Sequence, residues 1–194
     1  AKSYEDYSRQ IIKICKKKPV SLEVFSDDNR SMLNQAKKIN SWGRNVFVKI
    51  PVTNSKGKFT TEIIKKLCNE KIKLNITAVY SSSQTKKILS SINRDSDIII
   101  SIFAGRAGDA GLDPIPEIKR SIKYSKRFKK VKILWASVRE PYNLTQAKQL
   151  GCHLITVPPS IIDKIKNFGK NNNQLTLETV KTFLKDSRKS NFKI

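Results

Sequence analysis

Apolar positions along the chain come in two spacings. Short β-branched runs at Val20–Phe25, Val46–Val52, Leu74–Tyr80, Ile98–Ala104, Val131–Val138 and Leu154–Val157 read as six strands. Between them lie longer stretches of helical period with start and stop signals. Asp27-Asp28 precede Met32-Leu33, Pro114 and Pro116 precede Ile118 and Ile122, and Gly151 follows the segment Leu144–Leu150. Two more helices are predicted, at Ser160–Phe168 and, past the polar break 169–173, near Leu175–Leu184. Strands alternating with helices predict a parallel sheet joined by crossover helices.

A strand buried on both faces of such a sheet should be an unbroken apolar run, and an isolated polar residue inside it costs free energy unless it is paired or used. Glu23, Lys49, Asn75, Thr77, Ser101 and Ser137 interrupt five of the six runs. Strand residues alternate between faces, so Glu23 points opposite to Leu22 and Val24, and Lys49 opposite to Val48 and Ile50. From Glu23 through Lys49, Thr77 and Ser101 to Ser137 the steps are 26, 28, 24 and 36 residues, one strand-helix unit each. Successive units therefore converge their polar residues. A (β/α)8 barrel of TIM type does this, gathering its catalytic groups near the strands' C-terminal ends. An open doubly wound sheet is the alternative, but no G-x-G-x-x-G follows the first strand. The Gly-rich stretch 105–111 follows a middle strand and is a weak match to a cofactor loop.

At 194 residues the chain is one domain in size, long enough to bury roughly 70% of its unfolded surface. Without a run of ~20 apolar residues or a hydrophobic leader, neither a membrane span nor secretion is expected, and the cytoplasm is the default. Cys15, Cys68 and Cys152 are odd in number and far apart, which fits free thiols better than a disulfide frame or a zinc site. With 39 Lys and Arg against 16 Asp and Glu, the formal charge is +23, which raises nucleic acid as a partner. Many of the lysines fall on polar faces of predicted helices (Lys65, Lys66, Lys86, Lys87, Lys164), without interleaved aromatics or a reading helix. The charge reads as scattered over the surface, and nucleic acid is not expected.

Val-Lys-Ile-Pro-Val-Thr at 48–53, Asn-Ile-Thr-Ala-Val-Tyr at 75–80, Phe-Ala-Gly-Arg at 103–106 and Ala-Ser-Val-Arg at 136–139, in this order, resemble the transaldolase family, which includes the shorter fructose-6-phosphate aldolases. The resemblance implies a class I aldol mechanism in which a strand lysine, matched here by Lys49, forms a Schiff base with a ketose phosphate. Such an amine has to be unprotonated to attack. Glu23 resembles the family's strand glutamate, which acts with the strand threonine, here Thr77, through a bound water to move protons. Asn75 and Ser101 match contacts to substrate hydroxyls, and Arg106, Ser137 and Arg139 match contacts to phosphate, for which a planar guanidinium is well shaped. An alternative reading makes Glu23 and Lys49 a structural ion pair, and Asn75 and Ser101 satisfied packing groups.

Glu23, where the aldolase branch tends to carry Gln, and Phe103, where it carries Tyr, place the chain nearer the enzymes that transfer a dihydroxyacetone unit to an aldose phosphate. An aldolase of fructose 6-phosphate and a non-catalytic binder of sugar phosphates or polyanions are the alternatives. The resemblance implies sugar-phosphate substrates, neither metal nor organic cofactor, and homo-oligomers, with the C-terminal helix in segment 170–194 packing on a neighbouring subunit. The first segment, Tyr4–Lys16, matches the helix before the family's third strand. Only six of the eight barrel strands are then expected, without the first two, which bring an acid/base aspartate and a Thr-Thr-Asn-Pro run; as given, the chain would be unstable or inactive. His153 and Trp42 read as structural, and Cys68 and Cys152 as buried small hydrophobes.

Overall fold

All six predicted strands form in the computed structural model, which describes residues 3–192. They are β1 (Val20–Glu23), β2 (Val46–Pro51), β3 (Leu74–Val79), β4 (Ile98–Ile102), β5 (Val131–Trp135) and β6 (Leu154–Ile155). They pair in parallel, in chain order, as one sheet. The connecting helices are α2 (Asn29–Asn40), α3 (Thr61–Asn69), α4 (Ser82–Leu89), the pair α5 (Ala104–Asp109) and α6 (Ile115–Ser125), and α7 (Tyr142–Leu150); α1 (Tyr4–Cys15) precedes β1. Neighbours in sequence are neighbours in the sheet, each reached by a crossover in the same sense, so the sheet forms a half-barrel with β1 and β6 at its edges.

The local signals act as the sequence predicts. Asp28 caps α2 by accepting from the Ser31 N–H at 2.9 Å, Pro114 precedes α6, and Gly151 ends α7 in the left-handed region with φ 74°. The strands stop one to three residues before their apolar runs do, because residues such as Val24, Val52 and Val138 stay buried after leaving the ladder. One side of the sheet is packed by the helices. Val46, Val48, Ile50, Leu74, Ile76, Ile98, Ile100, Ile102, Val131, Ile133 and Trp135 are at most 3% exposed, under Met32, Ile64, Leu67, Ile88 and Ile118 from the helices. Each such aliphatic chain contributes roughly 1.5–3 kcal/mol, which is why this side admits no charge.

Two backbone features shape the strands' C-terminal ends. Ile76 pairs with Ile100 but Val79 with Ile102, so β3 carries one extra residue, and Ala78 takes φ 57° in this bulge. The bulge leaves Val79 fully buried and brings Tyr80 against Phe103, with ring centroids 5.9 Å apart. Between β4 and β5, the Gly-rich stretch is no cofactor loop but the short helix α5 and its turn. A Cβ on Gly105 would lie 1.5 Å from the Ser137 carbonyl oxygen, so only glycine lets α5 approach the end of β5 this closely.

The chain divides into two compact units, one ending at Val157 and the other beginning at Pro158. The second holds α8 (Pro159–Ile165) and α9 (Asn172–Ser190). The polar break supplies a capping box for α9: Asn171 accepts from the Gln174 N–H at 3.0 Å, and Gln174 accepts from the Asn171 N–H at 2.9 Å. Leu175, Leu177, Val180, Phe183 and Leu184 are about half exposed along it. The last two residues of segment 170–194 lie outside the described residues.

Replacing Gly105 by Ala forces backbone apart, so a Gly105→Ala variant should lose at least about 2 kcal/mol in urea unfolding. A second prediction concerns α4 and α6, which are tied by the buried Thr85–Ser121 hydroxyl bond of 2.8 Å and by Glu117, which accepts from the Ser82 N–H and pairs with Arg120. The Ser82 N–H holds the Glu117 carboxyl below the ordinary glutamate range, against the opposing pull of burial. A carboxyl lowered in the folded state stabilises fully above its unfolded pKa, and that contribution fades as pH falls through the folded value. Glu117→Gln should therefore melt roughly 2–4 °C below the parent at neutral pH, and the two melting curves should converge in acid.

Candidate active site

The side of the half-barrel away from the helices is a cleft of about 680 Å³. Because β1, β2 and β3 pair without a slip, Glu23 lies opposite Lys49 and Lys49 opposite Asn75. Lys49, Asn75, Thr77, Ser101, Phe103, Arg106, Ser137 and Arg139 all line this one cleft. The ninth candidate, Glu23, meets it through Lys49, whose Nζ donates to the Glu23 carboxylate at 3.1 Å. Both groups are reachable by solvent, the lysine side chain being 29% and the glutamate 45% exposed. Tyr4 steadies the glutamate's strand, its hydroxyl oxygen accepting from the Glu23 N–H at 3.0 Å. An amine nucleophile beside a carboxylate can add to a carbonyl and exchange protons with its neighbour.

The buried polar groups follow a clear hydrogen-bond order. Ser101 Oγ donates to Asn75 Oδ1 at 2.7 Å, and Asn75 Nδ2 donates to Ser21 Oγ at 2.9 Å. The chain leaves one Asn75 N–H and the lone pairs of Ser101 available to the cleft. Thr77 differs, since its hydroxyl is buried and has no partner. An unpaired buried hydroxyl costs roughly 1–3 kcal/mol, so Thr77 is not there for stability. Below these groups Phe47, Ile99, Leu134 and Ala136 form an apolar floor, with Phe103 and Leu154 packed on it.

At the other end of the cleft, α5 brings Arg106 up with its guanidinium over the Phe103 ring, 5.4 Å from the centroid. Arg106 has no carboxylate partner among the described residues, whereas Arg139 pairs with Asp109. Ser137 sits at φ 63°, and the Arg139 N–H donates to Asn143 Oδ1 at 3.0 Å, fixing the turn after β5. Two guanidiniums and a hydroxyl thus face one region, an arrangement suited to an anion.

Ser21 and Lys132 line the cleft and Asp109 holds Arg139, yet none stood out in the sequence. Strand phase was the available signal for two of them: Ser21 is two positions before Glu23 and Lys132 two before Leu134. Asp109 carries no such signal. His153 is structural, its Nδ1 accepting from the Ile133 N–H at 3.0 Å, and Trp42 is buried against Tyr4 just past α2. Cys68 is buried, but Cys152 is only partly so, correcting the expectation of a buried thiol; its surroundings still push its pKa up to about 11.

The model of the transaldolase/fructose-6-phosphate aldolase family matches residues 4–194. A probable transaldolase of Nitrosopumilus maritimus is 35% identical over 188 residues, covering 95% of this chain and 78% of that protein. One of Thermoplasma volcanium is 33% identical, covering 97% and 79%. Among solved structures, "Native KDPGal structure" superposes with a TM-score of 0.54 at 13% identity, over 97% of this chain and 78% of the other. A GMP reductase of Trypanosoma brucei superposes at 0.51 with 10% identity, over 74% and 30%; at such identities these two share the fold alone. With the family model spanning nearly its whole length and relatives above 30% identity, the chain belongs to the transaldolase/fructose-6-phosphate aldolase family.

Proposed function

We propose that the chain acts as a transaldolase, moving a dihydroxyacetone unit from a ketose phosphate, fructose 6-phosphate or sedoheptulose 7-phosphate, to an aldose phosphate through a Schiff base on Lys49. The observation that carries this reading is the Lys49 amine held 3.1 Å from the Glu23 carboxylate in the cleft that also holds Arg106 and Arg139. Lys49 Nζ adds to the donor's carbonyl carbon, and the carbinolamine loses water to give an imine. Loss of the proton from the C4 hydroxyl breaks the C3–C4 bond, the electron pair flows into the imine, and an aldose phosphate leaves. The enamine that stays then attacks the acceptor's aldehyde carbon, and hydrolysis frees the lysine. Glu23 moves these protons through a water held by Thr77, whose unpaired hydroxyl supports the assignment. Asn75 and Ser101 hold substrate hydroxyls, and Arg106, Ser137 and Arg139 the phosphate.

In this reading the half-barrel is part of a (β/α)8 ring, with two further strands pairing on the free edges of β1 and β6. The exposed apolar side chains of α9 support a homo-oligomer joined through that helix. Phe103, which has no hydroxyl to protonate the retained enamine, favours transfer over release of free dihydroxyacetone.

Treatment with fructose 6-phosphate and borohydride should leave a reduced dihydroxyacetone adduct on Lys49, seen by peptide mass spectrometry. Lys49→Met should give none and lose at least about 10³-fold in kcat. An adduct elsewhere, or none on the parent protein, overturns the Schiff-base reading. Thr77→Val should keep the adduct while lowering kcat about 10²-fold. Turnover should require an acceptor such as erythrose 4-phosphate; fast release of dihydroxyacetone without one would mark an aldolase.

A further inference from the structure

The cleft opens near the strands' C-terminal ends, and the opposite end carries a different feature. In a parallel sheet every helix-to-strand connection arrives at the strands' N-terminal ends, so segments 16–19, 41–45, 70–73, 90–97 and 126–130 form one rim. They hold eleven Lys or Arg against three acidic residues, Glu70, Asp95 and Asp97, and Glu70 is already paired with Lys37 at 2.6 Å. The connections at the other end, 24–28, 52–60, 80–81, 103, 110–114 and 136–141, hold three basic residues against four acidic ones. The sequence reading scattered the excess charge over helix faces, but the fold segregates it.

The rim is continuous. Asn45 Nδ2 donates to the Lys18 carbonyl at 2.8 Å, Lys73 Nζ to the Arg44 carbonyl at 2.8 Å, and Asn93 Nδ2 to Asn69 Oδ1 at 3.1 Å, while the Ile98 N–H reaches the Lys130 carbonyl at 3.3 Å. With strands ~4.8 Å apart, five segments span roughly 20 Å. Favourable placement at helix C-termini explains Lys16 and Lys126, which are the caps of α1 and α6. That effect fades within the last turn and does not explain Lys18, Lys73, Lys129 and Lys130, two or more residues past the caps. Five helix ends at about −0.5 charge each still leave the rim near +5.

We propose that this rim docks the phosphodiester backbone of a single-stranded nucleic acid without sequence preference. The side chains available to it are Lys, Arg, Asn and Ser, donors that suit phosphate oxygens. No large apolar side chain of these segments is exposed, whereas a membrane surface would be gripped by inserted apolar groups as well as by charge. The segments are short connections that present no helix to a duplex groove.

The test is fluorescence anisotropy of a labelled, mixed-sequence RNA strand of about 20 nucleotides. Contact with about four phosphates predicts binding that weakens roughly 50-fold between about 50 and about 200 mM salt. Reversing the rim with Lys18→Glu, Lys71→Glu, Lys129→Glu and Lys130→Glu should weaken binding at least about 10-fold. Reversing Lys65, Lys66, Lys119 and Lys123 on helix faces changes net charge equally and should cost less than about 3-fold. Equal losses in the two variants, or no binding at low salt, overturn the proposal. Tighter, rim-dependent binding to phosphatidylglycerol vesicles than to RNA overturns the choice of partner. Gln in place of the four rim lysines keeps the comparison readable if reversal unfolds the chain. Lys49 lies toward the other end, so the borohydride adduct should persist in the rim variants whether or not they bind RNA.

Discussion

The backbone ladder through β1, β2 and β3 is the constraint on which the rest depends. It sets Glu23 opposite Lys49 and Lys49 opposite Asn75, on the side of the sheet away from the helices. Side chains alternate with a period of two, so a slip of one residue would send Lys49 into the layer of Met32, Ile64 and Leu67 and bring an aliphatic side chain into the cleft. An unpaired ammonium there would cost several kcal/mol. The apolar packing that stabilises the sheet therefore also holds the register that places the amine beside its carboxylate.

The same separation explains what the sequence disclosed. Strand identity, parallel order and the polar side of each strand were legible because a two-sided buried strand tolerates polar residues only where they are used, and Glu23, Lys49, Asn75, Thr77 and Ser101 stand out against Ile and Val. Ser21 did not stand out, since it lies near the start of an edge strand where a polar residue raises no objection. The strand ends were overdrawn because Val24, Val52 and Val138 remain apolar after the ladder stops.

Features set by backbone contacts rather than composition were not legible. Nothing in the residues Thr-Ala-Val announces that Ala78 takes φ 57°. Gly105 looked like part of a possible cofactor loop, whereas its role is to let one backbone touch another at Ser137. The gathering of cations on one rim was hidden too, because a count of lysines contains no direction until the topology assigns each connection to an end of the sheet.

The extra residue at Ala78 also separates two parts of the molecule. Upstream of it, the row from Glu23 to Asn75 is fixed by a ladder that accepts no insertion; past it, Val79 and Tyr80 take their faces from the bulge. Changes in the segment around Arg106 or Ser137 can then be absorbed without shifting the lysine's row. For redesign, the bulge works as a joint: specificity at the anion end can be remodelled as a module while the nucleophile's setting is inherited unchanged.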